Sequence, residues 1–260
     1  MQDAPDPTIA YAGPLAVLVD RFSASASEIF AGAIQDYRRG VVLGQRTFGK
    51  GTVQNLVPLD RWSAKPTSGQ LTVTIGKFYR VTGGSTQNKG VVPDIKLVDI
   101  YNEEFGERKA KNALEWDTIP TAPFKREGSV QPYVQNLAQL SQQRVVNDPQ
   151  FKYLEQRKAI AKKTDEQKRV VLDIDQRKAE LNALEQQTLE SENQRRIVTG
   201  QKPYANWESY QASIDALIES RAKMKAAKRP ALAEEEVFVT ESAQVLLDYA
   251  KLQSTKASAK

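Results

Sequence analysis

Residues 15–19, LAVLV, form an unbroken apolar run, the pattern of a strand buried on both faces. A helical period follows: Ile29, Phe30, Ala33, Ile34 and Tyr37 recur at helical spacing between Ser27 and Arg38, and Gly40 supplies a stop. A second apolar run, VVLG at 41–44, completes a strand–helix–strand unit over 15–44, right-handed by default. Three more strands are predicted in TVQNLVPL at 52–59, LTVTIGKFYRV at 71–81 and VVPDIKLV at 91–98, with Gly83-Gly84 as a turn. Beyond residue 98 the rhythm changes. Residues 131–146, 150–163, 165–195, 205–228 and 234–253 are rich in Ala, Leu, Glu, Gln, Lys and Arg and read as helices. Asp148-Pro149, Gly200 with Pro203, and Pro230 mark the breaks between them. Residues 170–174, VVLDI, fit a short strand as well, and the final STKASAK is predicted to be disordered.

Composition sharpens this division. Eleven of the 14 glycines fall in residues 1–100, whereas 50 of the 69 charged residues fall in the remaining 160. The expected architecture is therefore α/β over 1–100, with a mixed sheet and a buried helix. A connecting segment over 101–130 follows, and then a mainly α-helical domain over 131–260. The net charge of +5 arises from 37 basic and 32 acidic residues that are interleaved. That is a mixed, solvated surface and not a basic face for phosphates, so no nucleic-acid partner is predicted. MQDAPDPTIAYAGP lacks the basic start and apolar run of a signal peptide. No window approaches the roughly 18 apolar residues of a membrane helix, and the chain as given is predicted to be soluble.

Two absences restrict the chemistry. Without cysteine there is no thiol nucleophile, disulfide or thiolate metal site. Without histidine a Ser-His-Asp triad and an imidazole metal site are both impossible. Acid–base work near neutral pH then falls to Lys, Asp, Glu or Tyr with a shifted pKa.

Two residues stand out against that background. Ser25-Ala26-Ser27-Glu28 fits the S-x-x-E capping box, so Ser25 reads as a helix cap. The same strand-to-helix junction would expose a nucleophile at the carboxyl edge of an open sheet. Lys50, between Gly49 and Gly51, reads either as a solvated turn residue or as a buried lysine able to act as general base. The GKGT sequence is not a phosphate loop, because Gln45 and Gly51 stand where that motif needs Gly and Ser or Thr. Nucleotide binding is excluded on that ground.

PLAVLVDRFSASASEIFAGAIQDY, GQRTFGKGTVQ and KFYRVTGGSTQNKGVVPDI occur in that order over residues 14–95. Together they resemble the C-terminal processing peptidases, in their tail-specific branch. GERKAKNALEWDTIP and the DPQF turn extend the resemblance into the helical half. The resemblance implies a partial serine-protease core over 1–100. It implies a Ser/Lys dyad in which Ser25 is the nucleophile and Lys50 the general base. Ala26 would offer its backbone N–H to the oxyanion, and Gln54 would orient the lysine ammonium. Ser23 and Ser27 would be structural, and Glu28 a cap partner rather than an acid. Asp36 corresponds to a residue of the tail-specific branch. It stands roughly 16 Å from Ser25 along the helix axis, as support rather than a substrate contact.

No cofactor or metal is implied. The implied substrates are periplasmic proteins with unstructured, apolar C-terminal tails, with a place in the periplasm and at most peripheral contact with the inner membrane. An adaptor protein, or a separate N-terminal half, is a further implied partner. Full-length members carry a helical region, a PDZ domain, the opening core strands and a glycine-rich oxyanion segment upstream, none of which is visible here. The alternative expectation is accordingly a catalytically incomplete fragment, acting as a scaffold or interaction module, in which Ser25 is only a cap.

Overall fold

The computed structural model describes residues 8–62, 69–100, 105–224 and 232–258. Strand β1 (Ala16–Val19) leads into helix α1 (Ala26–Asp36), and the chain returns as strand β2 (Val41–Gly44). β1 and β2 pair in parallel, from Ala16 opposite Val41 to Val19 opposite Gly44. Strands β3 (Thr52–Pro58) and β4 (Gln70–Lys77) follow, and then β5 (Ile95–Lys96), which joins β2 in parallel to give the order β1-β2-β5. β3 and β4 form a separate antiparallel ribbon whose register is irregular at Val53 and Gln54. The strands thus divide between a small parallel sheet and a ribbon.

The strand expected over 91–98 contracts to two residues. Pro93 brings no N–H, and the Asp94 carboxylate accepts the Val42 N–H at 2.9 Å where a backbone carbonyl would otherwise serve. The strand expected over 71–81 ends at Lys77: the Phe78 N–H still bonds the Gly51 carbonyl at 2.7 Å, and Tyr79 then leaves the ribbon to bridge Ser85.

Alternation along β2 sets the layers. Val42 faces α1, packing with Val19, Ala31 and Val91. Val41 and Leu43 face the opposite way and pack with Val130, Leu137, Val245 and Tyr249. Those last three residues belong to helices α2 (Val134–Asn147) and α6 (Ala233–Ser258), so the helical half covers the second face of the sheet. The end of α1 is tied to the connecting segment: the Tyr37 carbonyl accepts the Glu127 and Gly128 N–H groups at 3.2 and 3.0 Å.

The buried stripe of α1 is not the one its periodicity suggested. Glu28, Ala31 and Gly32 are buried, whereas Ile29 is 38% and Phe30 55% exposed. Small residues let the helix lie close to the sheet, and the larger side chains turn outward.

Helices α3 (Pro149–Glu166), α4 (Ile174–Val198) and α5 (Trp207–Lys223) complete the helical half. A second cluster joins Phe151, Tyr153 and Leu154 of α3 to Val237 of α6 and to Leu97, Val98 and Ile100. α4 begins nine residues later than its composition suggested, because the Asp173 side chain accepts the Asp175 and Gln176 N–H groups and caps it there. Residues 170–173 are neither helix nor strand. Most of the terminal STKASAK is ordered as the last turn of α6, which runs to Ser258. The helix expected through 225–228 and the break at Pro230 lie outside the described residues. Among the described residues no helix is long and apolar enough to cross a membrane.

Candidate active site

The serine turn leaves β1 at Asp20. The Asp20 Oδ1 atom accepts the Phe22 and Ser23 N–H groups at 3.0 and 2.8 Å and the Ser23 hydroxyl at 2.8 Å. Ser23 is therefore occupied in shaping the turn. Ser25 follows at φ 55° and ψ −114°, a backbone region that non-glycine residues enter only at a cost of about 1–3 kcal/mol. Its carbonyl accepts the Glu28 and Ile29 N–H groups at 2.9 and 3.1 Å and opens α1, while its side chain stands exposed. The Ala26 N–H lies in the first, unpaired turn of the helix and is exposed beside it.

Glu28 holds this strained position. It is fully buried, and its two carboxylate oxygens accept four hydrogen bonds. Thr47 Oγ1 and the Gly49 N–H donate to Oε1 at 2.5 and 2.7 Å. The Ser25 and Lys50 N–H groups donate to Oε2, each at 2.9 Å. One oxygen thus bonds the backbones of both candidate dyad residues, which lie within two hydrogen-bond lengths of each other. The Phe48 N–H adds a direct link to the Ser23 carbonyl at 3.0 Å. Burial pushes the Glu28 carboxyl above its ordinary range, and the Thr47, Gly49, Ser25 and Lys50 bonds pull against it.

The lysine loop is gripped from its other side by the TQNKG segment. The Gly51 N–H donates to Gln87 Oε1 at 2.9 Å, and the Asn88 N–H donates to the Gly49 carbonyl at 2.8 Å. Three consecutive amides, of Gly49, Lys50 and Gly51, are therefore satisfied by two buried side chains, Glu28 and Gln87. A Cβ at position 51 would lie 2.6 Å from the Gln87 nitrogen, so this approach requires glycine. The Lys50 side chain is half-buried.

Asp36 and Gln54 stand apart from this junction. Asp36, at the far end of α1, takes Arg80 in a bidentate pair at 2.9 and 2.5 Å, and Arg80 also reaches Gln35 Oε1 at 2.9 Å. That pair pins α1 to the segment after β4. Gln54 lies exposed on β3, and its amide donates to Thr74 Oγ1 across the ribbon at 3.4 Å. Sequence reasoning missed Thr47 and Gln87 altogether and saw only the local part of what Glu28 does. The one signal in the sequence was the place of Gln87 within KFYRVTGGSTQNKGVVPDI; its burial appears only in the fold. Among the described residues no group of three or more His, Cys, Asp or Glu side chains is placed to hold a metal ion.

Comparison with known proteins accounts for both halves. Residues 1–97 match peptidase family S41, and residues 100–251 match the C-terminal domain of tail specific protease. The chain is 42% identical over 204 residues to the tail-specific protease of Haemophilus influenzae, covering 76% of this chain and 29% of that one. It is 45% identical over 92 residues to the carboxy-terminal-processing protease of Bartonella bacilliformis, covering 35% of this chain and 20% of the relative. Among solved structures, the photosystem II D1 C-terminal processing protease is 41% identical over 33% of this chain and 20% of its own, with a TM-score of 0.29. The chain spans less than a third of the length of these relatives. The chain belongs to the family defined by the C-terminal domain of tail specific protease, with a match to peptidase family S41 ahead of that domain.

Proposed function

We propose that this chain carries the nucleophile and base of a serine-type endopeptidase. The observation that supports it best is the shared Glu28 oxygen, which bonds the Ser25 and Lys50 backbones at once. In this reading neutral Lys50 removes the Ser25 hydroxyl proton as Ser25 Oγ attacks the scissile carbonyl. The Ala26 N–H donates to the developing oxyanion. Protonated Lys50 then gives its proton to the leaving amine, and water hydrolyses the acyl-enzyme with Lys50 again as base. Gln54 would orient the lysine ammonium after a movement of the ribbon, and Asp36 would support α1 through Arg80. The substrates would be periplasmic proteins with unstructured, apolar C-terminal tails, processed in the periplasm.

The exposed Ile29 and Phe30 on the outer face of α1 favour a second reading. In it this chain is an interaction module that docks an adaptor or a separate N-terminal half. One experiment separates the two. The purified chain is incubated with an unfolded protein ending in an apolar tail, and fragments are identified by mass spectrometry. Parallel runs use Ser25→Ala and Lys50→Ala. Cleavage by the parent and by neither variant supports the peptidase. Absence of cleavage by the folded parent favours the module, and cleavage that survives both substitutions removes the dyad.

A further inference from the structure

The turn Phe105-Gly106-Glu107 belongs to the connecting segment, yet its contacts run to both arms of the site. The Phe105 ring lies 4.8 Å from the Phe22 ring and 5.4 Å from the Phe48 ring, centroid to centroid. Phe22 stands three residues before Ser25, and Phe48 two residues before Lys50. The Phe105 carbonyl accepts Arg21 Nη1 at 3.4 Å, while Arg21 pairs with Asp99. On the lysine side, the Glu107 N–H donates to the Phe48 carbonyl at 3.1 Å. The Glu107 carboxylate also accepts Gln87 Nε2 at 3.4 Å, and Gln87 holds the Gly51 N–H. Gly106 adopts φ 137°, and a Cβ there would come within 2.9 Å of the Phe48 oxygen. Only glycine lets the turn lie so close.

We propose that this turn is a positioning latch through which the connecting segment sets Ser25 against Lys50; the proposal rests on the dyad reading above. Two features separate the latch from ordinary core packing. Phe105 is 40% and Phe22 52% exposed and neither belongs to a hydrophobic cluster, so the aromatic contact can be lost without opening the core. Its two backbone hydrogen bonds to the loops run to the Arg21 side chain and the Phe48 carbonyl, and neither falls on a core strand. The latch touches no reacting atom. It acts through the two loops that carry them.

The test uses the full chain and the variants Phe105→Ala, Gly106→Ala and Phe105→Leu. Amide hydrogen exchange is followed at residues 47–51, and Ser25 labelling by a fluorophosphonate is followed as a function of pH. The alanine variants are expected to speed exchange at Gly49, Lys50 and Gly51 by roughly tenfold or more, with the Val41–Leu43 amides unchanged. Labelling is expected to slow by roughly tenfold or more and its pH midpoint to move, because a displaced lysine changes its surroundings. Phe105→Leu, which keeps apolar contact, is expected to restore both. Unchanged exchange at 47–51 in both alanine variants overturns the latch. So does slower labelling with an unmoved midpoint and no rescue by leucine, which is the signature of general destabilisation. Equal labelling of parent and Ser25→Ala removes the peptidase reading instead, and exchange then decides the latch alone.

Discussion

Glu28→Gln is nearly isosteric, yet it asks a neutral amide to replace a carboxylate that accepts four hydrogen bonds. An amide keeps one acceptor oxygen and puts two N–H donors where the other oxygen stood. Of its two orientations, the better keeps the carbonyl at the Oε2 position, facing the Ser25 and Lys50 N–H groups. The NH2 then meets Thr47 Oγ1, which can rotate to accept, and the Gly49 N–H, which cannot. One donor is orphaned outright, at about 1.5–3 kcal/mol for a bond to a charged group. The remaining bonds fall from charge-assisted to neutral strength, a further loss of about 0.5–1 kcal/mol each. Relief of a buried charge returns part of this. The net expectation is a loss of about 3 kcal/mol, a large fraction of the ~5–15 kcal/mol that holds a domain folded. Urea unfolding followed by tryptophan fluorescence reads this loss, since the Trp116 indole donates to the Ser85 carbonyl at 2.8 Å and reports on the TQNKG segment. Amide exchange at Gly49 is expected to rise with it. A variant within about 0.5 kcal/mol of the parent, with Gly49 still protected, would refute the claim that Glu28 braces the two loops.

Burial pushes the Asp94 carboxyl above its ordinary value of 3.8, with the Val42, Gln35 and Arg80 interactions pulling it down. A carboxyl raised by folding holds its proton more tightly when folded. Its contribution is complete below the unfolded value and lost as pH rises through the folded one. The stability of the parent relative to Asp94→Asn is therefore expected to decline as pH rises from about 4, and a flat difference in urea titrations would contradict this. Asp36→Ala leaves the Arg80 guanidinium without its bidentate partner in a mostly buried position, a cost of about 2–3 kcal/mol. Ser25 labelling of the folded fraction should be little changed, and its complete loss in folded protein would give Asp36 a direct role. Arg144→Ala strands the Glu241 and Asp248 carboxylates between α2 and α6, where Arg144 now bonds them at 2.7 and 2.6 Å. The expected loss is about 3 kcal/mol, read as a lower urea midpoint.

The parallel β1-α1-β2 unit was legible because two unbroken apolar runs flank one helical period, and short strands of that kind have few other uses. The orientation of α1 was not legible. Periodicity finds a stripe but cannot choose between two adjacent ones: Ala31 packs with Val42 and Gly32 lies under the Arg80 side chain, while Ile29 and Phe30 stay exposed. The strand over 91–98 failed for a related reason. Pro93 and the Asp94 side chain compete with the ladder, and that competition is settled by where Val42 stands.

Capping and catalysis looked like alternatives for Ser25 because a sequence motif displays only near neighbours. In S-x-x-E the visible partner is the Ser25 N–H, three residues from the carboxylate. The other three donors come from Thr47, Gly49 and Lys50, which stand 19, 21 and 22 residues further on. A single carboxylate joins the two loops: one arm bonds the Ser25 N–H at the start of the helix, and the remaining arms bring the lysine loop beside it. The charge-rich helical half shows the same limit. Its composition announced helices but not their packing, whereas Leu137, Val245 and Tyr249 form the second wall of the sheet and, in the connecting segment, Phe105 to Glu107 touch both loops. A substitution beyond residue 100 can therefore reach the Ser25 turn by two routes, through the helical core that packs on β2 and through the connecting turn that bonds Phe48.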